Sequence, residues 1–471
     1  MKDNGFLHSL VGGLGSPLNV MLPEQIAENV EGFQSVFRNH RLGGEILFAH
    51  KANRSSSLVR RLAASGASID IASLEELQHA LASGFTSDRV GASGPKDPDF
   101  LWLGARTGVT FHIDGRAELE LLASLVRAHR LPRARVVLRL AGFPSAGVRT
   151  LLRPSRFGTP VSEVAGLLDL VGRNMDAVEL IGVGYHLDTI SLTEKTVAFE
   201  GCLVVLDECR NRGMRPRFID IGGGFGVSYL AQAQQWDSYT TELTRSVLGN
   251  RPPLTWQGHG YGLRNENGNL AGGLGLYPAY RATTGPAYLD ELLSTPAPVL
   301  GRPLATLLLE SLYDLCVEPG RALADQCGVT LARVLEVREP SDTGDGVGIV
   351  RLGMNAADCG LEDHGVLMDP VIVPRPGGRP PAEKPVGVHL FGNLCLESDL
   401  ITKRVVFLPR LPVPGELLCF ANTAGYCMDF SAHLAERRPQ ARKVAAHHDG
   451  MAWHWTLDDQ YWPLATSGTE R

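Results

Sequence analysis

From Glu45 to Glu310 the chain repeats one pattern: a short apolar run, a turn, then an amphipathic segment of helical period. The apolar runs lie near Glu45–Ala49, Ser68–Ala72, Arg89–Ala92, Val109–Ile113, Arg135–Leu140, Val178–Tyr185, Arg217–Ile221 and Leu304–Glu310. Between them lie helical segments such as Leu74–Ser83, Arg116–His129, Val161–Arg173 and Glu194–Arg212. Ser73 followed by Glu76 spells a capping box at one helix start. Few folds accept this rhythm. Parallel strands need crossover connections, so alternating buried strands and helices read as βα units. Eight units predict an α/β protein built on a (β/α)8 barrel of the TIM type.

The rhythm sets the domain boundaries. Residues 1–44 read as an N-terminal segment with a strand at Ser16–Met21 and a helix through about Arg38, partly joining a later β domain. Residues 45–315 form the barrel, and 251–303, rich in Gly and Asn, interrupt it as an insertion: a lid, an interface arm or a poorly ordered loop. Residues 316–471 change to strands without long helices, at Val329–Val337, Val347–Gly353, Val386–Phe391, Glu416–Asn422 and Lys443–Ala446, which predicts a C-terminal all-β domain. A formal charge of −6 without a long basic run argues against a nucleic-acid binder. No apolar stretch approaches bilayer length, and the first residues lack the apolar core of a signal peptide, so cytoplasm is the expected location. The eight cysteines include no C-x-x-C pair and read as reduced thiols.

A barrel of this kind carries its chemistry at the C-terminal ends of its strands. Lys51 ends the first apolar run; it either reaches solvent or presents an amine of lowered pKa for a Schiff base. Tyr185-His186-Leu-Asp188-Thr189 ends another run, and His186 is either a satisfied strand-end residue or an imidazole packed flat on a heterocycle. Gly222, Gly223 and Gly224 make either a tight turn or a close approach to an anion, and their spacing does not satisfy the dinucleotide fingerprint. Glu318-Pro-Gly-Arg321 is either a surface ion pair or an acid for a pyridine nitrogen beside an arginine near phosphate. In the β domain Cys395, Glu397 and Asp399 gather, and Tyr426 follows a glycine. His447, His448 and His454 lack metal-ligand spacing, and no metal is expected.

An imine-forming lysine, a phosphate cradle, an acid for a ring nitrogen and a histidine for its face describe a pyridoxal phosphate site. Over most of residues 15–430 the chain resembles the fold-type III pyridoxal phosphate decarboxylases, the diaminopimelate and ornithine decarboxylase group, which share their barrel with alanine racemase. The motifs are Phe48-Ala-His-Lys-Ala-Asn53, Asp70-Ile-Ala-Ser73, Ser155-Arg-Phe-Gly158, His186-Leu-Asp-Thr189, Asp220-Ile-Gly-Gly-Gly-Phe225, Glu318-Pro-Gly-Arg321, and Cys395 with Asp399.

The resemblance implies that Lys51 forms the Schiff base, His186 stacks on the ring and Glu318 pairs with its nitrogen. It implies that Thr189, Gly222, Gly223, Gly224, Arg321 and Tyr426 hold the phosphate of pyridoxal 5'-phosphate. A homodimer with shared active sites follows, in which Cys395 and Asp399 come from the second subunit and Cys395 or Lys51 returns the proton; Asp188, Glu397 and Asp399 are the expected substrate-reading residues. The chain departs from the family pattern at Leu396, which stands where the family has an acid directly after the cysteine, with Glu397 one place later, at His186-Leu-Asp-Thr189 in place of His-x-Gly-Ser, and around Met354–Gly360, which has no counterpart to a family arginine. Cofactor residues are kept and substrate-reading ones differ, which implies decarboxylation of another amino acid or a derivative. The alternatives are a racemase or epimerase on the same cofactor and a non-catalytic cofactor-binding homologue.

Overall fold

A computed structural model describes residues 3–143, 155–340, 346–375, 384–432 and 435–463. The chain divides into two compact units, each assembled from separated stretches. One holds Ile26–Gly226, Thr283–Leu323 and Trp462; the other holds the N-terminal residues through Gln25, Val227–Ala282 and Ala324–Tyr461.

The first unit is a closed barrel of eight parallel strands: β1 (Gly44–Ala49), β2 (Ser68–Ile71), β3 (Val90–Ala92), β4 (Thr110–Ile113), β5 (Ala134–Ala141), β6 (Val178–Tyr185), β7 (Phe218–Asp220) and β8 (Asp314–Val317). Each strand pairs in parallel with its neighbour, and β8 closes the ring on β1 through Leu315↔Gly44 and Val317↔Ile46. The seam leaves no room for a side chain. Gly44 has φ 136°, and a Cβ there would lie 1.7 Å from the Leu315 carbonyl oxygen. The helices behave as their sequences predict, with apolar faces turned inward: in helix Arg116–Ala128 the buried residues are Leu119, Leu122, Ala123 and Val126, at helical spacing. Among the described helices none is long and apolar enough to cross a membrane.

The eighth apolar run is placed differently from expectation. Leu304–Ser311 is a helix ended by left-handed Leu312, and the closing strand is Asp314–Val317. Leucines, which carry no branch at Cβ, and an alanine favour helix, and a short apolar run has no period that separates buried strand from buried helix. The expected boundary at 315/316 thus falls inside β8. Of the expected insertion, 251–282 clusters with the second unit and 283–303 with the barrel. It is ordered as a single turn at Trp256–Gly258, a hairpin pairing Leu263–Glu266 with Asn269–Gly272, and a helix Gly285–Ser294.

The second unit is built on a nine-stranded sheet. Its long strand Gly328–Arg338 pairs with Gly348–Leu352, Leu417–Phe420 and, antiparallel, with the N-terminal strand Leu18–Met21. Leu18–Met21 runs parallel to Arg442–His448 on its other edge. Val350, Leu352, Val388, Leu390, Leu418 and Phe420 pack one core, and Leu7, Leu10, Val11, Leu18 and Val444 another. Each such side chain stabilises the fold by roughly 1.5–3 kcal/mol.

Candidate active site

β1 is buried from Ile46, and the burial runs through His50, where the chain enters one tight turn, His50–Ala52, and Lys51 emerges exposed. The residue before it is pinned. His50 Nδ1 lies 3.0 Å from Glu76 Oε1, and its Nε2 lies 2.8 Å from His79 Nδ1. Ser73 caps the helix Leu74–Ala82 by accepting the Glu76 N–H at 3.2 Å, but the Glu76 carboxylate takes the Ala72 N–H rather than that of Ser73. The capping box is therefore half formed, because the other carboxylate oxygen is engaged by His50.

Beyond the turn lies a buried knot of charge. Glu318, just past β8, has one oxygen 3.7 Å from His112 Nδ1 and the other 3.6 Å from His186 Nδ1. Burial opposes its ionisation, yet the neighbouring imidazoles of His186 and His112 and the charge of Lys51 outweigh burial and hold the carboxyl down at about 2. Asp70 and Asp220 go the other way: burial, with the nearby charge of Glu318, pushes both well above the usual carboxylate range. Ser93 donates to Asp70 at 2.7 Å. Burial lowers the His112 imidazole. One anion, Glu318, is thus favoured over three. His112, Asp220 and Glu318 also bring potential ligand atoms within 4.8 Å of one another. Sequence reading gave no role to Asp70, His112 or Asp220; the available signal was a polar residue inside an otherwise apolar strand.

The glycine loop follows β7. The Gly222 N–H donates to Asp220 Oδ1 at 2.7 Å and the Gly223 N–H to His186 Nδ1 at 3.2 Å, so both are engaged within the unit. The Gly224 N–H has no hydrogen-bond partner among the described residues. Gly224 has φ 85°, and a Cβ there would sit 2.8 Å from the carbonyl oxygens of Leu187 and Thr189. Thr189 Oγ1 accepts the Ser191 N–H at 3.0 Å, Asp188 is exposed, and Arg321 is half-buried. Lys51, His186, Asp188, Thr189, Gly222–Gly224, Glu318 and Arg321 all belong to the barrel unit.

Cys395, Glu397, Asp399 and Tyr426 belong to the other unit. Asp399, expected to read substrate, is buried and accepts the Ala356 and Leu394 N–H groups, both at 2.8 Å, so its carboxylate organises the Cys395 loop. The Cys395 N–H donates to Glu436, and its thiol is exposed. Cys395 and exposed Glu397 line a cavity of about 570 Å3 with Trp256, Arg338, Arg351 and Arg438. Tyr426, at φ 69°, sits among His364 and Phe430.

Residues 24–268 match the family described as pyridoxal-dependent decarboxylase, pyridoxal binding domain. The chain is 29 % identical over 442 residues to the uncharacterized protein y4yA of Sinorhizobium fredii, covering 92 % of this chain and 88 % of that one. It is 24 % identical over 464 residues to a diaminopimelate decarboxylase of Methanothermobacter thermautotrophicus, covering 94 % and 91 %. Its fold is similar to that of the M. jannaschii diaminopimelate decarboxylase crystallised with L-lysine: TM-score 0.70 at 18 % identity, covering 93 % and 89 % of the two chains.

Proposed function

The chain belongs to the pyridoxal-dependent decarboxylases of the diaminopimelate and ornithine type, and from that premise we propose that it decarboxylates an amino acid or an amino-acid derivative on pyridoxal 5'-phosphate. The observation that carries this reading is Glu318: a buried carboxyl held ionised between two histidines at the end of β8. Such an anion suits a protonated pyridine nitrogen. The glycine loop fits the same group, since Gly224 offers an N–H without a partner where any Cβ would meet backbone.

When bound, the cofactor supplies an electron sink for the bond that loses carbon dioxide. This chain's residues supply the rest. Lys51 would supply the amine for the cofactor's aldehyde; its exposure at a strand end leaves it reachable. His186 would hold the cofactor ring and Glu318 would keep its nitrogen charged. Gly224, with Thr189 and Arg321, would hold the phosphate. Lys51 or Cys395 of a second copy returns a proton to the substrate carbon as general acid. Asp188 and Glu397 read the substrate; the departures around them from the family pattern favour a substrate other than diaminopimelate or ornithine.

The test is direct. Purified protein loaded with the cofactor develops visible absorbance, Lys51→Ala lacks it, and carbon dioxide is released from at least one member of a panel of L- and D-amino acids. Unchanged absorbance in Lys51→Ala removes that residue from its role. Racemisation without gas release replaces decarboxylation with epimerisation.

A further inference from the structure

Helix Leu192–Asn211 begins at a Ser191 cap and turns Lys195 inward, where the side chain has no solvent exposure. Lysine is almost never fully buried unless its charge is employed. Its Nζ donates to the Gly223 carbonyl oxygen at 2.5 Å and lies 5.1 Å from the centroid of the Phe225 ring. The Tyr185 hydroxyl donates to the Lys195 backbone carbonyl at 2.9 Å, fixing the turn that carries it. Asp188 and Asp220 favour its charge through space, and no described carboxylate comes within 4.0 Å of Nζ. The ammonium thus has a carbonyl for a partner and no contacting counter-ion.

That carbonyl is informative. The Gly223 C=O and the Gly224 N–H belong to one planar trans peptide, so they point in opposite directions. An ammonium on the oxygen withdraws electron density through the unit and strengthens the N–H on the far side as a donor. The neighbouring Gly222 and Gly223 amides are already engaged, and Gly224 is the one left without a partner.

We propose that Lys195 is a positioning residue for an anion: it fixes and polarises the Gly223–Gly224 peptide so that the Gly224 N–H binds the phosphate of the cofactor. The proposal rests on the cofactor reading above and adds to it a cation reaching the phosphate through a shared peptide. Burial lowers the Lys195 pKa to about 8, so the charge persists at neutral pH.

The experiment compares two aldehydes that differ only in the phosphate. Wild type, Lys195→Gln and Lys195→Met, each freed of cofactor, are titrated with pyridoxal 5'-phosphate and with pyridoxal by absorbance. Gln can still donate to the Gly223 oxygen but carries no charge; Met does neither. Wild type is expected to favour the phosphorylated aldehyde. Lys195→Met is expected to lose about 10-fold in affinity for that aldehyde, the scale of one charge-assisted hydrogen bond. Lys195→Gln is expected to lose less, and pyridoxal binding to stay within about 2-fold in both. Equal losses for the two aldehydes, or no loss for the phosphorylated one, overturn the assignment. If Lys195→Met fails to fold, Lys195→Gln carries the same comparison. Wild type that binds neither aldehyde sinks the cofactor reading itself, which separates the two failures.

Discussion

Glu318 sets the charge state of its surroundings, and its titration is measurable. A carboxyl whose folded pKa of about 2 lies below its usual 4.5 adds stability that is complete above 4.5 and is lost as pH falls toward 2. Glu318→Gln lacks that contribution. The wild-type excess in urea midpoint should be largest near neutral pH and close as pH falls below 4.5, and a gap that widens with acid would contradict the assignment. In the loaded enzyme the same substitution should cost on the order of 10²–10³ in kcat, the scale of removing one preorganised electrostatic contact. Lys195 titrates with the opposite consequence. Its folded pKa, about 8, lies below the usual 10.5, so between those values the unfolded chain binds more protons. The stability difference between wild type and Lys195→Met should therefore shift toward wild type as pH rises from 8 to 10.5. The two acids whose charge reaches Lys195, Asp188 and Asp220, are retained in both proteins.

Among the elements, the barrel seam is the most exacting. Gly44→Ala places a methyl group inside a backbone contact and forces a residue with a side chain to φ 136°, so the variant should unfold at markedly lower temperature or accumulate as aggregate, followed by circular dichroism. Much of this architecture was readable from period alone. The strands at Val178–Tyr185 and Val386–Phe391 and the helix Arg116–Ala128 follow their apolar spacing almost to the residue. Three-residue strands were readable where the barrel rhythm framed them, as at Val90–Ala92 and Phe218–Asp220, and not outside it. The strands Val371–Val373 and Val406–Leu408 have three residues each, and the Leu304–Ser311 helix has the same apolar run as a strand. The placement of Lys51, His186, Glu318 and the glycines was legible because strand ends in a barrel converge. Lys195 was not: on helix Leu192–Asn211 it reads like any solvated lysine, and only the packing of that helix on the loop after β7 hides it.

At the scale of the molecule, the proposed shared site makes a quaternary prediction. The protein should run at twice the 50.8 kDa chain mass. Mixing inactive Lys51→Ala with inactive Cys395→Ala should restore roughly a quarter of wild-type activity, because random reassortment of a C2 dimer gives half hybrids with one intact site each. Exchange of subunits without any recovery would place both residues in one copy's site. The second unit has a different consequence, which follows from the position of Leu18–Met21 between Gly328–Arg338 and Arg442–His448. During synthesis the ribosome releases this tetrapeptide some four hundred residues before its parallel neighbour. The barrel has all eight staves once β8 has emerged, and Gly328–Arg338 then reaches one edge of Leu18–Met21, whereas its other edge waits unpaired until Arg442–His448 has been made. Late in translation, then, the nascent polypeptide carries a finished cylinder and an open sheet edge, and it is the latter that a holding chaperone would need to shield.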